Sequence, residues 1–240
     1  MERLGALVQI VIINLVLSGD NAVVIGMAAH PLPTRQRRLA ILVGGGAAIT
    51  LRVLLTAVAA YLLALPALKA IGGILLLWIA FQLLEKNTEA QEKGAAARVG
   101  LLAAITTILV ADLIMSLDNV LGVAAASNGD LGLLVFGLAF SMIVVMLGGS
   151  VIAELIDRLW WLTYLGALVI AWTGVDMALS DDLVQPRTES LSDLSRVVLT
   201  AVLSVAVVAA AHVFHRRRQV TEHSTGPGRA RLTEPDPRVR

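Results

Sequence analysis

The sequence predicts an all-α polytopic membrane protein: seven transmembrane helices, built as an inverted 3+3 repeat with one further helix at the C-terminal end. Three observations carry that expectation. The 240 residues are 57% hydrophobic, with a mean hydropathy of +0.81 and only 15% charged, whereas a soluble domain carries about 25% charge and shorter apolar runs. The apolar residues fall into seven blocks bounded by charge, Pro or Gly. An acidic motif inside the first block returns inside the fourth.

The first block, 5–29, follows Met1-Glu2-Arg3-Leu4, contains Asp20 and has no small-residue cleavage site at its end, so it is expected to be a retained helix and not a signal peptide. Arg35, Arg37 and Arg38 separate it from the second, 38–65, which holds Gly44 and Arg52 and stops at Pro66. The third, 67–84, holds Gly73 and gives way to the Ala- and Glu-rich stretch 85–99, expected to be a cytoplasmic linker between halves. Blocks four to six are 100–127, 131–156 and 159–179, so the halves are 5–84 and 100–179. The acidic stretch 180–195 then leads to the seventh block, 196–214, and the Arg-, Pro- and Gly-rich tail 215–240 is expected to be disordered.

Basic residues alternate in density from loop to loop. One side has Arg35, Arg37 and Arg38, then Lys86, Lys93 and Arg98, then Arg158, then Arg216, Arg217 and Arg218; the other has only Arg3, Lys69, Arg187 and Arg196. The positive-inside rule makes the dense side cytoplasmic, with the N-terminus outside and the C-terminus in the cytoplasm of a multi-pass protein of the cell (inner) membrane. The Arg216–Arg218 cluster fits a topology anchor touching anionic lipid, and a net charge of +1 gives no reason to expect a nucleic-acid partner.

Several chemistries are excluded. With no cysteine there is no disulfide, thiolate metal site or Cys nucleophile. His30, His212, His215 and His223 all lie at or beyond the ends of apolar blocks, which argues against an imidazole-rich site in the membrane. No Gly-rich loop with a Walker-type Lys is present, so nucleotide hydrolysis is not expected.

The repeat is read from three pairs. Ser18-Gly19-Asp20-Asn21 matches Ser116-Leu117-Asp118-Asn119 at an offset of 98, while Gly44 matches Gly137 and Gly73 matches Gly166 at an offset of 93. Glycine matches alone are cheap between apolar segments, since small residues are common where membrane helices meet. The Ser-x-Asp-Asn pair raises the match above that level. A unit of three spans enters the membrane from opposite sides in its two copies, the mark of alternating-access transporters whose sites lie near the midplane.

A carboxylate near the centre of a spanning helix costs about 3 kcal/mol even on the lenient insertion scale, so Asp20, Asp112 and Asp118 together cost roughly 9 kcal/mol. That cost points to an ion pathway. At 100° per residue, Asn14, Ser18 and Asn21 share one helix face, as do Asp112, Ser116 and Asn119. Asp112 and Asp118 are then about 9 Å apart along the axis and about 120° apart in direction, too far for one ion. Either the carboxylates are successive stations, or the helices unwind locally and turn them inward. Gly19 favours unwinding in the first copy, and Leu117 weakens it in the second. With the two helices antiparallel, Asp20 would reach the depth of Asp112, and Asp118 that of Asn14, gathering both halves into one cage.

Carboxylate, amide and hydroxyl oxygens without His or Cys suit a hard divalent cation, Mg²⁺, Ca²⁺ or Mn²⁺. Met27 and Met115 either offer a thioether, shading the choice toward Mn²⁺, or simply pack. Arg52 is the one strong cation at depth. It is either a structural counter-ion to an aspartate or a tethered charge that takes the site when the metal leaves. Glu154, Asp157 and Asp176 lie close to block ends and are expected at the interface.

Ser18-Gly19-Asp20-Asn21 with Ala22-Val23-Val24-Ile25, and Ala111-Asp112 through Ser116-Leu117-Asp118-Asn119-Val120, resemble the TerC family of integral membrane proteins, in particular its YjbE-like branch, and the likeness runs over about 7–177. The resemblance implies a member of the broad LysE-like transporter group that exports Mn²⁺, with an association with tellurite resistance. It maps the family's acidic motif residues onto Asp20, Asp112 and Asp118. Asn14 stands where relatives often place an acid, which leaves the first half one carboxylate short.

The leading expectation is thus a secondary exporter of a divalent cation, most simply Mn²⁺, coupled to H⁺ or Na⁺, with no permanently bound cofactor and no enzymatic activity. An intramembrane aspartyl protease is the enzyme alternative: Leu17-Ser18-Gly19-Asp20 and Pro66-Ala67-Leu68 faintly resemble that class. There the first Gly is missing and Pro-Ala-Leu lies between the aspartate helices instead of after both. A non-transporting assembly or metallation factor, and a transporter of another cation or an amino acid, are the remaining alternatives.

Overall fold

The computed structural model describes residues 18–63, 67–93, 100–126, 131–188 and 192–225, with a few isolated positions before residue 18. These residues form helices and short turns, and none of them is in a strand. In chain order the helices are α1 Gly19–Ala29, α2 Thr34–Leu63, α3 Leu68–Lys93, α4 Leu101–Ala126, α5 Leu131–Arg158, α6 Leu162–Leu179, the single turn α7 Gln185–Thr188, and α8 Asp193–Thr225. Five of them, α2, α3, α5, α6 and α8, are long and apolar enough to cross a membrane, and the described apolar part of α4 runs Leu101–Ser116.

Apolar side chains fill the interior of this assembly and also cover its outside. Phe136, Phe140, Ile143, Leu147 and Val151 recur at helical spacing along α5 and are all exposed, whereas Ser18, Asn21, Arg52, Asp112 and Ser116 are buried. A continuous apolar stripe of this kind on a helix long enough to span suits a hydrocarbon surrounding.

Helix α3 continues beyond the apolar block 67–84 through Lys93, so residues 85–93 of the stretch expected to be a linker are helical. One expectation is corrected. Helix α8 begins at Asp193 and runs to Thr225, carrying helix well into the tail expected to be disordered. In both cases Ala, Glu, Gln, Lys and Arg supply high helix propensity just beyond the apolar block, where charge marks the end of a membrane span without ending a helix. Residues 226–240 lie outside the described ones.

The six helices pair across the halves. The most extensive contacts are α3 with α6, α2 with α4, and α1 with α5, and α8 packs on α6 and α3. Glycine permits the close approach: a Cβ at Gly174 would stand 2.9 Å from the Gly73 carbonyl oxygen, and one at Gly149 would stand 2.6 Å from Cγ2 of Ile25. Helix α8 is held by the Tyr164 hydroxyl against His212 Nδ1 at 3.0 Å and by a Phe81–Phe214 ring contact at 5.7 Å.

At one end of the bundle a polar joint ties both halves. His30 Nδ1 meets Asn87 Oδ1 at 2.6 Å, and His30 Nε2 meets Asp157 Oδ1 at 2.9 Å. Arg37 donates to Asp157 at 2.7 Å and to the His30 carbonyl at 2.7 Å, while the Asn87 amide donates to the carbonyls of Met27 at 2.9 Å and Leu83 at 2.7 Å. The exit of α1, the start of α2, and the far ends of α3 and α5 are thereby fixed together.

Candidate functional site

Helix α1 begins abruptly at Gly19. Leu15 is helical, but Ser18 is a turn residue with φ −110° and ψ 12° and makes no capping hydrogen bond through its side chain. Glycine next to a break in an apolar segment tolerates the non-helical backbone, and the exposed polar groups require a protein-lined or wet surrounding. The second motif behaves differently. Helix α4 is continuous through 112–119, so the unwinding expected as one of two resolutions occurs at the first motif alone.

The break delivers polar side chains to the carboxylate of α4. Asp112 Oδ1 accepts from the Asn21 amide at 2.9 Å and from the Arg52 guanidinium in a close ion pair, while Oδ2 accepts from the Ser116 hydroxyl at 3.2 Å. Arg52 also donates to Ser18 Oγ at 3.0 Å. These groups come from α1, α2, α4 and the Ser18 turn, and all five side chains are at most 4% exposed. Charge-assisted bonds offset part of the desolvation of the pair. One oxygen is left over: Asn21 Oδ1 is buried with no hydrogen-bond donor among the described residues.

Asp20 departs from the expected cage. It is half-buried and turns toward the second half, where Oδ2 accepts from the Thr173 hydroxyl on α6 at 3.0 Å and Oδ1 from the Asn21 backbone N–H at 3.0 Å. The physical reason is the break. With α1 starting at Gly19, Asp20 sits in the first turn, where its carboxylate shares the Asn21 N–H with the Ser18 carbonyl, and the Asn21 side chain takes the inward direction. Thr173 was not singled out from the sequence. Its hydroxyl also lies 3.2 Å from the Val169 carbonyl, the ordinary habit of a threonine in a membrane helix, so its type carried no signal of a second partner.

Among the remaining candidates, the side chains of Asn14, Asp118 and Asn119 lie outside the described residues. No group of three or more acidic or imidazole side chains able to hold a metal occurs among the described ones. Met27 packs: a Cβ at Gly166 would stand 2.6 Å from its sulfur, so the thioether fills the notch of that glycine. Asp157 belongs to the polar joint, and Asp176 lies 3.6 Å from Arg196, both at helix ends as expected.

The first motif is thus broken, the second continuous, and a buried arginine bridges them. A family model described as "Integral membrane protein TerC family" matches residues 1–220. The chain belongs to the TerC family. It is 39% identical to the uncharacterized membrane protein YjbE of Bacillus subtilis (strain 168) over 216 residues, 90% of this chain and 97% of that one. The inner membrane protein YgdQ of Escherichia coli (strain K12) is 27% identical over 64% of this chain and 71% of its own. The uncharacterized membrane protein YceF of Bacillus subtilis (strain 168) is 24% identical over 92% and 86%. No solved structure matches the chain. This TerC-family chain is therefore an integral membrane protein, similar over nearly its full length to relatives named only as membrane proteins.

Proposed function

We propose that this protein is a secondary transporter that exports a hard divalent cation, Mn²⁺ in the first instance, and that the site in the structure is held by its own arginine. The observation that carries the proposal is the buried Asp112 carboxylate, reached by Arg52 of α2 and Asn21 of α1, beside an Asn21 oxygen that has no donor among the described residues. A buried acceptor of this kind costs about 1–3 kcal/mol and calls for a partner. A cation between Asp112, Asn21 Oδ1, Ser18 and Ser116 would supply one, all four being the hard oxygen ligands that Mn²⁺, Mg²⁺ and Ca²⁺ take. The guanidinium and the metal compete for one carboxylate, so binding of metal releases Arg52, and return of Arg52 expels metal. Asp20 and Asp118 are further stations of the same path, and protonation of a carboxylate there is the route by which H⁺ couples to it.

The helix pairings support the inverted repeat. Exchanging α1–α3 for α4–α6 turns the α1–α5 contact into α4–α2 and leaves α3–α6 in place, which are the three most extensive contacts in the bundle. Rocking of the halves about these pairs exposes the site to each side in turn. With the basic loops inward, the polar joint of His30, Asn87, Asp157 and Arg37 closes the cytoplasmic end. Among the described residues, Asp20 and Asp112 each have a different partner and share no proton.

The test is Mn²⁺ flux in proteoliposomes under imposed pH and sodium gradients, with Mg²⁺ and Ca²⁺ as competitors. Wild-type protein is expected to move Mn²⁺ selectively, and Asp112→Asn, shown to be monodisperse and correctly inserted, is expected to fall to the level of empty vesicles. Flux unchanged in that variant removes Asp112 from the path. No flux in correctly inserted wild-type protein under either gradient overturns the transporter reading in favour of an assembly or metallation role.

A further inference from the structure

Away from the buried site, α3 and α4 line a groove of about 570 Å³. Its chemistry is ordered along its length. Lys86, Gln82 and Trp78 follow one another at single-turn spacing on α3, and Leu102, Thr106 and Val110 do so on α4. Each step is about 6 Å, so the groove runs from a cation, past a rung of hydrogen-bonding side chains, to an apolar floor about 12 Å deeper. Lys86 Nζ donates to Gln82 Oε1 at 3.0 Å, which leans the ammonium along the groove. Trp78 and Leu102 are 57% and 76% exposed, although they are large apolar side chains.

We infer that this groove binds one anionic diacyl phospholipid, with its phosphate on Lys86, its ester groups against Gln82 and Thr106, and an acyl chain on Trp78 and Val110. Along α3 the order of the lining is the order of the lipid, with the cation first, then a hydrogen-bonding side chain, then an apolar one, while on α4 Thr106 and Val110 continue it and Leu102 places an apolar side chain at the cation end. A soluble phosphate would use the lysine alone and leave the apolar length of the groove empty. On the orientation proposed above, Lys86 faces the cytoplasmic leaflet, the anionic one, where a basic side chain between helices recognises lipid headgroups. The site touches α4, which carries Asp112, and its occupancy is independent of whether the protein transports a metal.

Trp78 reports occupancy directly. In full-length protein carrying Trp160→Phe, Trp161→Phe and Trp172→Phe, Trp78 is the only indole. The variant is reconstituted in phosphatidylcholine vesicles holding a minor fraction of brominated-chain phosphatidylglycerol or, in parallel, of brominated-chain phosphatidylcholine. We expect the anionic lipid to quench Trp78 with about fivefold preference, the factor given by one lysine near a membrane surface. Lys86→Gln should abolish the preference and Lys86→Arg should keep it, which separates charge from misfolding. Equal quenching by both lipids, or a preference that survives Lys86→Gln in folded protein, overturns the inference. Absence of quenching by either lipid, with Leu102→Cys cross-linking to a second copy, assigns the groove to a dimer instead and equally overturns it.

Discussion

Arg52 and Asp112 are 2% and 4% exposed, so neither charge has water to fall back on. Removing one member of such a pair typically costs about 3–5 kcal/mol, because the other is left charged in a medium that disfavours it, while replacing both is close to neutral. Arg52→Gln is therefore expected to destabilise the protein by about 3–5 kcal/mol, and Arg52→Gln combined with Asp112→Asn to recover most of that loss. Thermal unfolding in detergent of the two single variants and the double variant closes this cycle. Additive losses would mean that the pair is not coupled. The double variant also isolates function from folding, since it should be stable and yet unable to carry cation flux.

At the scale of the element, the start of α3 is held from outside its own sequence. Asp181, in the turn after α6, accepts from the backbone N–H of Leu183 at 3.0 Å and from that of Ala70 in the first turn of α3 at 3.0 Å. Those donors, with Leu183 the larger influence, hold its carboxyl below the usual carboxylate value. A carboxylate whose folded pKa is depressed contributes stability above its unfolded pKa of about 3.9, and loses it as pH falls through the lower folded value. Wild-type protein is thus expected to lose stability on acidification below about pH 4, with part of that dependence absent in Asp181→Asn, which still accepts through its amide oxygen but carries no charge. Melting curves between pH 3 and pH 6 check it. Identical pH profiles for the two proteins would remove Asp181 from this role.

At the scale of the molecule, the halves meet backbone to backbone at α3 and α6. A side chain added at Gly73 would run into the Gly174 carbonyl and the Ala178 backbone, neither of which can swing aside, whereas one added at Gly46 in α2 meets nothing within 4 Å. Gly73→Ala is expected to cost about 1–3 kcal/mol through overpacking. Gly46→Ala is expected to be neutral or stabilising by up to about 1 kcal/mol, because glycine inside a helix is unfavourable. Denaturation of both variants in the same detergent gives the comparison, and equal effects would mean that α3 and α6 are not in close contact.

Much of this was legible in the chain. Long apolar runs broken by Arg and Pro mark membrane helices because hydrocarbon admits little else, and Asp20, Asp112, Arg52, Ser18 and Ser116 stand out because charge or hydroxyl at depth has a cost that demands a partner. Gly19 next to Asp20 indicated where the first helix could break. Which partner each group takes was not legible, since that depends on how the helices lie against one another. Only the packed bundle decided that Asn21 and not Asp20 meets Asp112, that Arg52 chooses Asp112, and that Asp20 turns to Thr173 on a helix about 150 residues away. Helix in the tail after 214 was missed for a related reason: polarity reports where a membrane ends, while the backbone continues its hydrogen bonds into water for as long as propensity allows. Sequence by itself determined which residues must lie in the membrane, because burial in hydrocarbon is a property of composition. Tertiary structure alone decided who faces whom, because that is set by side-chain contact between helices distant in sequence.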